Sequence, residues 1–198
     1  MPKLARIDST CPETLNARQP LQMTRVWDPL VRVFHWSLVA SFAVAWITPR
    51  SAENIHHWAG YVAGALVFMR LLWGILGTPY ARFSQFVRHP KSVVRYLLAI
   101  LSGREARYIG HNPVGGMMVL ALMSLMTVIS FTGWLMTTDV YFGEDWMQNL
   151  HSLSAHGLLL LVLVHVGGVL LASVRHRENL VRAMITGRKR NAGTEDIS

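Results

Sequence analysis

Apolar residues run almost unbroken through four stretches of the chain, about residues 29–47, 56–77, 115–136 and 150–174. Each approaches or exceeds the roughly 20 residues that a helix needs to cross a hydrocarbon layer about 30 Å thick. Local signals mark their ends. Asp28-Pro29 places an N-cap acid before a proline at the first helical position, and Asn112-Pro113 repeats the arrangement. Pro49 closes the first stretch and Thr78-Pro79 the second, whose only charge is Arg70 near its end. The third carries only small hydroxyls and glycines as polar residues. The pattern predicts an all-α integral membrane protein, a bundle of four transmembrane helices. The connection over residues 78–114 is too polar and basic to cross. Within it, Lys91 to Ser102 is short and amphipathic, which predicts a helix lying along the interface. Residues 1–23 are polar, with no continuous apolar core, and read as a loose tail rather than a secretory signal. Residues 24–190 then form one membrane domain and 191–198 a short second tail. There is no usable internal repeat.

Composition agrees with this pattern: 52% of the 198 residues are apolar and 15% charged, against about 25% charged in soluble domains. A disordered chain is excluded and a soluble one disfavoured. The net charge of +8, from 19 Lys and Arg against 11 acids, would by itself admit nucleic acid or anionic lipid as partner. Placement decides. Four spans put both termini and the long connection on one side, and that side holds every Lys and Arg except Arg50. By the positive-inside rule the termini are cytoplasmic. The opposite loops carry Glu53, Asp139, Glu144 and Asp145. The basic excess is a topology signal, so no nucleic-acid partner is needed and membrane lipid is the surrounding medium. Tryptophans near the span ends suit the interfacial belt.

The lone cysteine, Cys11, allows neither a disulfide nor a thiolate cluster nor covalent haem attachment, so a bound metal would fall to histidine or carboxylate. Nine histidines are present. Those inside or at the mouths of apolar helices are costly and therefore informative. His151 and His165 are fourteen residues apart, which on a helix leaves about 40° between their rings and about 21 Å along the axis. One helix face thus presents an imidazole near each membrane surface, as two stacked haems would require. His156 lies about 140° from His151 and should point elsewhere. Matching depth pairs His35 with His165 in the inner half and His56 with His151 at the outer mouth. His56 is preferred to His57 because Gly60 and Gly64 follow at one-turn intervals and leave room for a flat macrocycle. Arg70, fourteen residues beyond His56, shares its face at the inner end, where it offsets a propionate or anchors at the interface. His89 and His176 read as solvated, and the methionines of the third span as packing.

Several short motifs then converge. R-V-W-D-P-L-V-R-V-F-H-W (25–36), I-H-H-W-A-G-Y with R-L-L-W-G (55–74), A-R-F (81–83), G-H-N-P-V-G-G-M (110–117), T-G-W (132–134) and the basic run over 173–189 resemble the bacterial cytochrome b561 / Ni-Fe-hydrogenase b-type cytochrome family. The likeness covers about residues 24–190. It implies four membrane helices around two non-covalent, bis-histidine b haems that carry electrons between the quinone pool, ubiquinone or menaquinone, and a redox partner. That partner is a hydrogenase, a c-type cytochrome or, for a quinone-linked superoxide oxidase, a small oxidant. The family's ligand positions fall on His35, His56, His151 and His165. The G-H-N-P motif brings His111 and Asn112 toward a propionate or quinone headgroup, although Asn112 serves equally as a plain helix cap. Two other classes stay open: a histidine-lined metal transporter or sensor, poorly supplied with membrane carboxylates, and a cofactor-free anchor.

Overall fold

The computed structural model of the protein describes residues 23–48, 52–76, 82, 89–108, 110 and 112–190. Four helices are long and apolar enough to cross a membrane: α1 (Pro29–Ile47), α2 (Glu53–Leu76), α4 (Pro113–Leu135) and α5 (Asp145–Arg175). Between α2 and α4 lies α3 (Pro90–Leu101). After α5 come a single short helix, α6 (Leu180–Thr186), and strand β2 (Arg188–Arg190), which pairs antiparallel with β1 (Met23–Arg25). The tails over 1–22 and 191–198, with Cys11, Arg50, Thr78-Pro79 and His111, lie outside the described residues.

The caps act as the sequence predicts. The Asp28 side chain accepts from the Leu30 amide at 2.8 Å and Asn112 from the Gly115 amide at 2.6 Å, each before a proline that has no N–H to satisfy. Helix α2 starts three residues before the apolar run, with Glu53 in its first turn, and α5 starts five before, with Asp145 there. Acids stabilise a helix N-terminus, so both helices continue past the point where hydrophobicity stops. At the far end of α5, Arg175 occupies the last turn, where a cation is favoured.

Close packing runs in sequence from α1 to α2, α2 to α4 and α4 to α5, whereas neither α1 nor α2 approaches α5 as closely. Ala63 and Val67 of α2, Met123 and Met126 of α4 and Leu158 of α5 form a buried cluster, flanked by Leu38 and Phe42 of α1. Outward positions such as Phe68, Ile75, Leu153, Leu160 and Leu163 are exposed. An apolar exterior of this kind requires lipid rather than water.

On the side of the bundle where the described chain begins and ends, the basic face, irregular segments are bolted together. Trp27 and Val26 donate backbone bonds to the Gly187 carbonyl, and Lys189 stands 5.9 Å over the Trp27 ring. Gly187 adopts φ +78°, and a side chain there would meet the Trp27 carbonyl at 3.0 Å. Glycine alone suits that helix end. Arg107 and Glu178, with side chains 5% and 11% exposed, form a two-pronged ion pair at 3.1 Å. Helix α3 rests here too: Tyr96 is buried, stacks edgewise on Tyr108 and donates to the Ala106 carbonyl at 3.0 Å. Its opposite stripe of Val94, Leu97, Leu98 and Leu101 is exposed.

Candidate haem sites

His35, His56, His151 and His165 are each half-buried within the bundle. At the end away from the basic face, His56 of α2 and His151 of α5 meet with ring centroids 6.2 Å apart. A metal–imidazole bond of about 2 Å on each side, added to the distance from each ring centre to its nitrogen, gives a separation of about 6 Å. The rings are therefore spaced so that both imidazoles could hold one metal between them. Both are held from behind. His56 Nδ1–H donates to the Ala45 carbonyl of α1 at 2.9 Å, leaving Nε2 free to coordinate. The Thr132 hydroxyl donates to the Val128 carbonyl at 2.8 Å, so its oxygen is available to accept from His151 Nδ1–H at 3.0 Å. A hydrogen bond at one ring nitrogen fixes the tautomer that ligates through the other.

Toward the basic face, His35 of α1 stands within electrostatic reach of His165 of α5. The His35 Nδ1 is buried with no hydrogen-bond partner among the described residues, and so is Trp73 Nε1, three residues beyond Arg70 on α2. Arg70 itself is 6% exposed. Buried polar atoms seldom lack partners, so the Trp73 nitrogen fits a site completed by a bound group with acceptor oxygens.

Neither helix pair that carries the candidate histidines, α1 with α5 or α2 with α5, packs closely. Room for a flat group follows. A side chain at Gly60 would meet nothing within 4 Å. Gly64 has different surroundings: a Cβ there would lie 3.2 Å from that of Ser130, so its smallness serves the approach of α2 to α4. His156 points away from these sites, donates to the Ser152 carbonyl and stacks edgewise on Trp46 of α1 at 5.6 Å. His57 lies 4.0 Å from Glu53. His89 caps α3 by accepting from the Lys91 amide, and His176 ends α5. Among the described residues no three of His, Cys, Asp and Glu converge on one point, which leaves paired imidazoles as the candidate ligand sets.

Sequence reasoning passed over three contributors: Thr132, Gly133 and the Ala45 carbonyl. A side chain on Gly133 would lie 3.1 Å from His151 Cε1, so this glycine is what admits the ring. The T-G-W motif carried the signal for the first two, but its role needs the neighbouring helix to be read.

Residues 26–187 match the family model described as prokaryotic cytochrome b561. The chain belongs to that family. Similar curated proteins are each named "Probable Ni/Fe-hydrogenase B-type cytochrome subunit". The one from Bradyrhizobium diazoefficiens is 21% identical, over 83% of this chain and 85% of the relative. That from Cupriavidus necator is 21% identical over 93% and 94%, and that from Azotobacter vinelandii 24% identical over 82% and 86%. A cytochrome b561 is a haem-carrying membrane electron-transfer protein, and the four apolar helices fit a multi-pass protein of a prokaryotic inner membrane.

Proposed function

We propose that this cytochrome holds two b haems, one ligated by His56 and His151 and the other by His35 and His165, and relays electrons across the inner membrane between a quinone, ubiquinone or menaquinone, and a redox protein. The observation that carries this reading is the meeting of the His56 and His151 rings, 6.2 Å apart, in a bundle where His35 also lies within electrostatic reach of His165. Bound there, haem iron supplies one-electron chemistry. With two histidines to hold each haem, the chain's own residues would leave the iron no open coordination site for substrate. The Ala45 carbonyl and Thr132 orient the outer ligands, Gly60 gives clearance, and Arg70 and Trp73 meet propionates at the inner site. The buried cluster of Ala63, Val67, Met123, Met126 and Leu158 keeps water out between the two layers.

The termini lie in the cytoplasm, and the exposed apolar stripe of α3 lies in the headgroup layer beside them. Relatives named as hydrogenase subunits make a hydrogenase the first candidate partner. A c-type cytochrome or a small oxidant would use the same two-step relay. The test is stoichiometry and ligand loss: pyridine haemochrome should give about two haems per chain, and His165→Leu should remove one b-type signal and keep the other. A colourless protein overturns the haem reading, and survival of both signals in that variant overturns the pairing.

A further inference from the structure

The two histidine pairs differ in what stands behind them. At the outer pair, both Nδ1–H groups have an acceptor, the Ala45 carbonyl at 2.9 Å and the Thr132 hydroxyl at 3.0 Å. At the inner pair, the buried His35 Nδ1 has no partner among the described residues. An acceptor on Nδ1–H makes an imidazole a stronger electron donor through its other nitrogen, and that favours the oxidised metal. Charge acts in the same direction. His56 is level with Ala45 and with His151. Arg70 follows it by fourteen residues, about 21 Å along α2, and therefore lies level with His165. A guanidinium there, 6% exposed, favours the reduced state of a metal beside it, because reduction removes one positive charge.

The geometry points to Thr132 as a positioning residue for the outer site, one that holds the outer haem at a lower potential than the inner. This rests on the two-haem reading above. Thr132 is 4% exposed and its hydroxyl is engaged on both sides, to the Val128 carbonyl and to His151. Valine keeps its shape and removes the hydroxyl, and with it both the acceptor for His151 and the donor to the Val128 and Ile129 carbonyls. Gly133, the next residue, bounds the same ring at 3.1 Å, which gives a second and independent way to disturb it.

Redox titration of the purified holoprotein, followed by its b-band absorbance, tests this. Wild type should show two one-electron components. Thr132→Val should raise the lower one so that its oxidised-to-reduced ratio at fixed potential changes about tenfold, equal to about 59 mV for one electron. The higher component should stay in place, and Thr132→Ser should restore the wild-type value. Gly133→Ala should likewise perturb only the lower component, and it serves if the valine variant does not fold. The inference is overturned if Thr132→Val moves neither component or both equally, or if Gly133→Ala moves the higher one. Haem content below about two per chain in wild type would instead count against the two-haem reading.

Discussion

Gly60 and Gly64 stand one turn apart on α2, identical in type and shared face, yet only Gly60 opens onto space while Gly64 is pressed against Ser130. Their substitutions should therefore fail in different ways. Gly60→Leu should leave the bundle folded but lower haem bound per chain, because its side chain enters the room beside His56. Gly64→Leu must push α2 from α4, and overpacking of this kind costs about 1–3 kcal/mol. It should lower the thermal midpoint. Absorbance per milligram and a melting curve on each variant separate the two; equal haem loss with no change in melting for Gly64→Leu would contradict this division. The sequence made both glycines visible as a spacing of four. Which neighbour each meets depends on the path of another helix, and periodicity along α2 carries no information about that.

Elements were legible in proportion to how locally they are determined. Helix α1 occupies the predicted 29–47 because Asp28-Pro29 and a following proline bracket it, and α4 begins at the predicted Asn112-Pro113 cap. The early starts of α2 and α5 escaped a reading by hydrophobicity, since polar residues continue a helix once acids favour its N-terminus. The β1–β2 ribbon escaped altogether. It pairs residues more than 160 positions apart, and its strands, MTR and RKR, show no alternation of apolar and polar residues in sequence. That ribbon and α6 are held through Glu178, which accepts from the Arg107 guanidinium and from the Arg190 amide. Removing one partner of a buried ion pair costs about 3–5 kcal/mol, largely because the other charge is stranded. Arg107→Met should thus expose residues 176–190 to limited proteolysis, and adding Glu178→Met should restore much of the protection. An unchanged digestion pattern in the single variant would show that the pair does not hold this segment.

The same face has a pH dependence of predictable sign. Tyr96 sits outside the spanning helices, and its phenol is pushed up to about 12, first by burial and then by the negative charge of Glu105 and by Tyr108. An acid whose folded pKa is raised contributes stability that is whole below its ordinary value near 10 and is lost as pH rises from there through about 12. Between those limits the packing of α3 on Tyr108 and Ala106 should loosen. Tyr96→Phe should abolish that alkaline step. It also gives up a hydrogen bond worth about 1 kcal/mol at neutral pH. Phenolate absorbance at 295 nm, followed alongside protection of α3 from hydrogen exchange, measures both. Simultaneous ionisation of every tyrosine near pH 10 would contradict it.

At the scale of the molecule, α5 is the part on which the rest of the design turns. It supplies one ligand to each proposed haem, but among the spanning helices it packs closely only on α4. Toward α1 and α2 it is met by the Trp46–His156 contact and, across the open sides, by the paired histidines. Two bound haems would fill those sides and join α5 to both neighbours. Any group that binds the folded state alone stabilises it by mass action, about 4 kcal/mol when present at a thousand times its dissociation constant. Haem supply should therefore set the order of unfolding as well as its midpoint. Protein expressed under haem limitation should melt at lower temperature, and its amides should exchange first over residues 151–165 while α1 and α2, which pack on each other, stay protected. His151→Leu and His165→Leu should each produce part of that loosening, at opposite ends of α5. Uniform exchange across all four helices in the haem-poor protein would mean instead that the bundle closes without its cofactor, and that the gaps beside α5 are filled by lipid.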